Sequence, residues 1–111
     1  EIKKFVMLSS MGADNPSQGG ELEADLRAKH NADEYLRASG LNYVVVRPGT
    51  LTNEDDQDKI RLGSNLNSNG NISRHSVAKT LVAVLHDNVM LNQTFEVLEG
   101  ETPVEEAVLS F

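Results

Sequence analysis

Three short stretches carry the side chains best suited to chemistry. Ser9 and Ser10 follow the apolar run Phe5-Val6-Met7-Leu8 and place two hydroxyls at its end. Lys29 stands four residues after Asp25, and Arg47-Pro48-Gly49 closes a second apolar run, Tyr43-Val44-Val45-Val46. Donors at strand ends lie where open α/β sheets take their ligands, beyond the carboxyl ends of the strands. Each stretch also has a plain structural reading. Small hydroxyls satisfy backbone groups at a strand end. Asp25 and Lys29 form an i,i+4 pair in the favourable order, worth roughly 0.2–0.5 kcal/mol on an exposed helix. Pro-Gly simply stops a strand. Arg74, beside Ser73, has the reach for a phosphate, but a nearby carboxylate is the expected partner. His30, His75 and His86 share no metal-binding spacing, and no metal site is expected. His75 falls in the first turn of a helix and His86 near its end, where a cation suits the dipole.

The elements that must hold these groups follow from the apolar pattern. Phe5 to Leu8 is a short continuous run, as in a parallel strand buried on both faces. A loop over residues 14–20 precedes a helix over 21–39, with Leu22, Leu26, Ala32, Tyr35 and Leu36 inward and Gly40 at its C-terminal cap. Tyr43 to Val46 is the second strand. Residues 50–71 turn polar, a long loop that suggests function or mobility, broken only by Lys59-Ile60-Arg61-Leu62 as a short strand. A helix over 73–86 follows, with Ser73 as N-cap and Val77, Leu81, Val84 and Leu85 inward. Thr94 to Leu98 forms a third strand. Thr102-Pro103-Val104-Glu105 carries a capping box with Pro at the first helical position, and so predicts a last helix to Leu109. This order implies an α/β fold, with three parallel strands joined by right-handed crossover helices. The first strand would then have an open apolar edge, which natural proteins avoid. Another chain, further residues or a rearranged segment should cover it.

Composition narrows the setting. With 111 residues the chain is one domain at most. It is 39% hydrophobic and 24% charged, ordinary for a globular protein. A net charge of −7 argues against nucleic acid as a partner. No apolar run reaches the length of a membrane span, and no secretory signal opens the chain, so neither membrane nor export is expected. The absence of cysteine fits a cytoplasmic setting. The chain opens Glu1-Ile2-Lys3-Lys4 and enters an apolar run at once, which reads as the middle of a domain.

The succession Val6-Met7-Leu8-Ser9-Ser10-Met11-Gly12-Ala13-Asp14, Ala28-Lys29, Ala32-Asp33-Glu34-Tyr35-Leu36 and Ser39-Gly40-Leu41 resembles the NmrA-like, atypical short-chain dehydrogenases. So do Val46-Arg47-Pro48-Gly49, Ile72-Ser73-Arg74 with Val77-Ala78, and Phe95-Glu96-Val97-Leu98. The resemblance covers nearly the whole chain. It implies the C-terminal half of a Rossmann-like, doubly wound parallel sheet, the three strands being its fifth to seventh. The phosphate-binding N-terminal half would be absent from 1–111. It implies NADP or NAD as cofactor, with Ser10 and Lys29 as catalytic candidates and Ser9, Arg47, Pro48 and Gly49 beside the cofactor. The family's glycine-rich phosphate turn has no counterpart here, since Gly19-Gly20 follows a loop and lacks the Gly-x-Gly-x-x-Gly spacing.

One departure bears on mechanism. Asp25 stands where the family's Tyr-x-x-x-Lys pair has its acid, and an ordinary carboxylate is ionised at neutral pH. Biliverdin reductase B-like flavin reductases resemble this pattern and move hydride without that Tyr. The resemblance thus implies an NAD(P)H-dependent reductase acting on a small quinone-like or conjugated acceptor. The rivals are a non-catalytic NAD(P) sensor and an inactive fragment.

Overall fold

The computed structural model describes residues 4–18, 20–85 and 92–111. In chain order it runs β1 (Phe5–Leu8), α1 (Glu23–Ala38), β2 (Tyr43–Pro48), β3 (Thr50–Thr52), β4 (Lys59–Gly63), β5 (Asn71–Ser73), α2 (Arg74–Val84), β6 (Gln93–Glu99), β7 (Thr102–Pro103) and α3 (Val104–Ser110). Two 3-10 turns, Pro16–Gln18 and Gly20–Leu22, lead into α1. The main sheet has the order β1-β2-β6-β4-β7. Its three long-range neighbours β1, β2 and β6 are parallel, as their connecting helices require. β4 and β7 add antiparallel pairings at the far side.

Strand alternation divides the sheet into two unlike faces. Val44, Val46, Phe95 and Val97 meet Ile72, Val77, Val84, Val104 and Val108 in the main hydrophobic core. The centre of that face is apolar because α2 and α3 lie on it. The alternate residues Val45, Arg47, Glu96 and Leu98 belong to the opposite face, and two of the four are charged yet buried. Half the sheet is core; the other half is where the polar groups gather.

Several expectations change. The polar segment over 50–71 contains β3 and β5, which pair in parallel with each other in a separate two-stranded sheet. Three-residue strands with two adjacent buried residues, Ile72 and Ser73, leave no alternation to be read beforehand. The buried face of α1 is Leu26, Asp33 and Leu36, whereas Leu22, Ala32 and Tyr35 are exposed. The apolar residues misphased the helix, because a carboxylate occupies the inward stripe. Thr102 makes no cap; it pairs with Ile60 in β7, and Val104 donates its backbone N–H to the Asp58 carbonyl. Leu85 is exposed just beyond α2. His86 lies outside the described residues. Gly40, with φ of +84°, follows α1 in the left-handed region, as the C-cap reading requires.

β1 is an edge strand. Phe5 and Leu8 are exposed, so the expected burial on both faces is not found in this chain. Among the described residues its ladder is made with β2 alone. Phe5 N–H donates to the Asn42 carbonyl and Ser9 N–H to the Val46 carbonyl, so alternation turns the Val6 and Leu8 amides to the open side. In the monomeric chain, amide exchange should therefore be fast at Val6 and Leu8 and slow at Met7. Slow exchange at all three would mean that another strand lies along this edge.

Candidate functional site

The carboxyl ends of β1 and β2 form one rim. Past β1 the pairing continues, with Ser9 N–H on the Val46 carbonyl at 2.7 Å and Met11 N–H on the Pro48 carbonyl at 2.9 Å. Parallel strands of matched register thus bring Ser9, Ser10, Pro48 and Gly49 together. Lys29 reaches them from α1: its Nζ donates to Ser10 Oγ at 2.8 Å and to Asp25 Oδ2 at 2.9 Å. Ser10 accepts from an ammonium, so its own proton is left to point elsewhere, and no acceptor for it occurs among the described residues. Ser10, Asp25, Pro48 and Gly49 line a crevice of about 400 Å³, walled further by Met11 and Leu26.

Ser9 and Arg47 turn inward instead. Ser9 Oγ donates to Asp33 Oδ2 at 3.0 Å, and Arg47 Nη2 donates to the same oxygen at 2.9 Å. Asp33 is wholly buried and Arg47 is 6% exposed. Asp33 Oδ1 and Arg47 Nε are buried without a partner. Sequence reasoning overlooked Asp33. Its signal was position: it lies seven residues after Leu26 and three before Leu36, on their stripe.

Gly49 has a reason that needs no ligand. A Cβ there would lie 2.5 Å from the Gly70 carbonyl oxygen and 2.5 Å from a Leu98 methyl. Gly70 also accepts the Thr50 N–H. Close packing of β2's exit against residue 70 therefore demands glycine.

The segment after β3 is tied to the start of α2. Ser73 caps α2 by accepting the Ser76 N–H, as expected. Asp56, which sequence reasoning missed, accepts from Ser73 N–H, Ser73 Oγ and Ser76 Oγ. Burial pushes its carboxyl up, but these hydrogen bonds outweigh burial and hold it below the ordinary 3.8. Asp58 is lowered as well, chiefly by its bond to His75 and also by Lys79. Arg74 meets the Asn53 side-chain carbonyl rather than the expected carboxylate. His30 bonds the Ala13 carbonyl. Among the described residues, no three potential ligands cluster to hold a metal.

A mostly parallel sheet whose strand ends open on a polar crevice defines an α/β dinucleotide-binding domain of Rossmann type. The chain belongs to the NAD(P)H-binding family, whose pattern it matches over residues 1–88. It is 42% identical over 108 residues to YhfK of Bacillus subtilis, an uncharacterized sugar epimerase, covering 96% of this chain and 50% of that one. A putative NAD-dependent epimerase/dehydratase from Bacillus halodurans superposes with a TM-score of 0.94 at 38% identity, covering 99% of this chain and 52% of that one. A short-chain dehydrogenase/reductase of Veillonella parvula, solved with NADP, shares the fold at a TM-score of 0.67 and 20% identity, covering 91% and 52%. The chain spans about half the length of the relatives it matches. Among the described residues, no helix is long and apolar enough to cross a membrane.

The residues present fit one end of a dinucleotide. Ser10 and Lys29 offer donors suited to ribose hydroxyls and a ring carboxamide beside a crevice of the right size. The start of α1 does not suit phosphate, since Glu21, Glu23 and Asp25 crowd it with negative charge.

The lowered Asp56 and Asp58 set a sign for acid stability. A depressed folded pKa stabilises fully above the unfolded value of 3.8 and is lost as pH falls through the folded one. Urea midpoints should hold from about pH 6 to 4 as far as these groups matter, and drop below. Asp56→Asn, which cannot titrate, should flatten that acid limb; an unchanged limb would show that Asp56 makes no contribution.

Proposed function

We propose that the intact protein is a cytosolic NAD(P)H-dependent reductase of the NmrA-like, atypical short-chain dehydrogenase type, acting on a small quinone-like or conjugated acceptor. The observation that carries this reading is the 2.8 Å bond from Lys29 Nζ to Ser10 Oγ at the mouth of the crevice. Lys29 polarises the Ser10 hydroxyl, which donates its hydrogen bond to an acceptor oxygen and stabilises charge gathering there. Asp25 holds the ammonium in place and leaves the family's Tyr step without a residue. Proton delivery then falls to the Ser10 hydroxyl backed by solvent. Pro48 and Gly49 would wall a nicotinamide, and Ser9 and Arg47 fix both strand ends from behind through Asp33. When bound, the reduced nicotinamide would supply the hydride, and the protein its orientation. NADP and NAD are both compatible with these residues.

The test is NADPH and NADH oxidation by the intact protein with menadione as acceptor. Ser10→Ala and Lys29→Met should each lower kcat/KM about 10-fold or more, with circular dichroism unchanged. Cofactor binding without turnover by the unaltered protein would overturn the reading in favour of a sensor.

A further inference from the structure

Next to the rim crevice lies a second one, of about 360 Å³. The two share Met11, Leu26 and Asn69 as walls, so they adjoin along one groove-like face. The first part is bounded by proline, glycine and apolar side chains beside Ser10. The second is lined by Asn15, Asn65, Asn67 and Ser68, with Glu96 at its base.

Glu96 is the unusual member. It sits in the middle of β6, between Phe95 and Val97 of the core, and alternation turns it to the opposite face. Only 7% of it is exposed. Oε1 accepts the Leu66 N–H at 2.8 Å, which fixes the asparagine-rich segment over it. Its other oxygen has no protein partner among the described residues and is not sealed from the groove. Arg47 is its register neighbour in β2, but that guanidinium goes to Asp33. Glu96 Oε2 is thus left as an acceptor open to a group that enters the groove.

The lining says what kind. Each asparagine amide offers donors and an acceptor together, and a hydroxyl is likewise both. Asn65 already accepts the Asn67 N–H and Ser68 donates to the Asn69 carbonyl, which leaves the Asn15, Asn67 and Asn69 side-chain amide N–H groups to meet a ligand's hydroxyls. We propose that this second crevice is a hydroxyl-reading subsite, in which Glu96 accepts a hydrogen bond from a hydroxyl on a polyhydroxylated part of the acceptor. The inference rests on the reductase reading for the carbonyl end and adds hydroxyl groups at a fixed side of it. Glu96 is then a specificity-determining residue.

The probes are D-sorbitol and 1,6-hexanediol, which share a six-carbon chain and differ in their inner hydroxyls. Titrated into the nitrogen-15-labelled protein, sorbitol should shift the Leu66 amide and the asparagine side-chain signals in a saturable way. Hexanediol should bind at least about 10-fold more weakly. Glu96→Gln keeps an acceptor for Leu66 N–H, and so the fold, but removes the charge; it should weaken sorbitol about three-fold or more. Equal shifts from the two probes, no shifts at all, or full sorbitol affinity in Glu96→Gln would each overturn the subsite. Because the titration uses neither cofactor nor turnover, its outcome is separate from that of the quinone assay.

Discussion

Asp33 draws three elements to one point. From α1 it receives Ser9 at the end of β1 and Arg47 near the end of β2, all on a single oxygen. The rim that carries Ser10, Pro48 and Gly49 therefore depends on a buried ion pair. Such pairs are seldom the cheapest way to hold a core together. Removing each charge from water costs several kcal/mol, and mutual attraction often only balances that. Here one oxygen and one guanidinium nitrogen are left unpartnered as well, which raises the cost. What the pair gives in return is direction: α1 can sit in only one rotation and one translation along the strands. That rotation carries Lys29, four residues and about one helical turn earlier, to Ser10.

The same logic explains the two faces of the sheet. On one, valines and Phe95 meet α2 and α3, and the buried hydroxyls of α2 are met by Asp56 for Ser76 and by the Ser76 carbonyl for Thr80. On the other, Arg47 and Glu96 are register neighbours that never pair, because each has a separate duty. Arg47 fixes the strand ends, and Glu96 fixes the segment over residues 65–69. The polar face is thus organised by hydrogen bonds to single atoms. The centre of the apolar face needs only shape.

These differences decide what was legible beforehand. The strands Phe5–Leu8 and Tyr43–Pro48 were readable because continuous apolar runs mark parallel strands, and Gln93–Glu99 because Phe95, Val97 and Leu98 suit a strand. Parallel pairing then made the Ser9-Ser10 and Pro48-Gly49 rim foreseeable, and Asp25–Lys29 followed from helical spacing. Asp33 escaped because periodicity counts apolar residues, and the inward stripe of α1 has a carboxylate on it. The phase was set by Leu22 and Tyr35, which are exposed. β3 and β5 escaped because three-residue strands pairing only with each other leave no alternation to find. Thr102 read as a cap because a local motif cannot reveal that the residue is held in a ladder by Ile60. In each case tertiary context overrode a local pattern.

The central claim is that Asp33 and Arg47 act as one unit that sets the rim. A double-mutant cycle by urea denaturation tests it most directly. Arg47→Met alone leaves a buried carboxylate uncompensated and should cost about 3–5 kcal/mol. Asp33→Leu combined with Arg47→Met should recover most of that loss, giving a coupling of about 2 kcal/mol or more. Losses that simply add, or an Arg47→Met change below about 0.5 kcal/mol, would contradict the account.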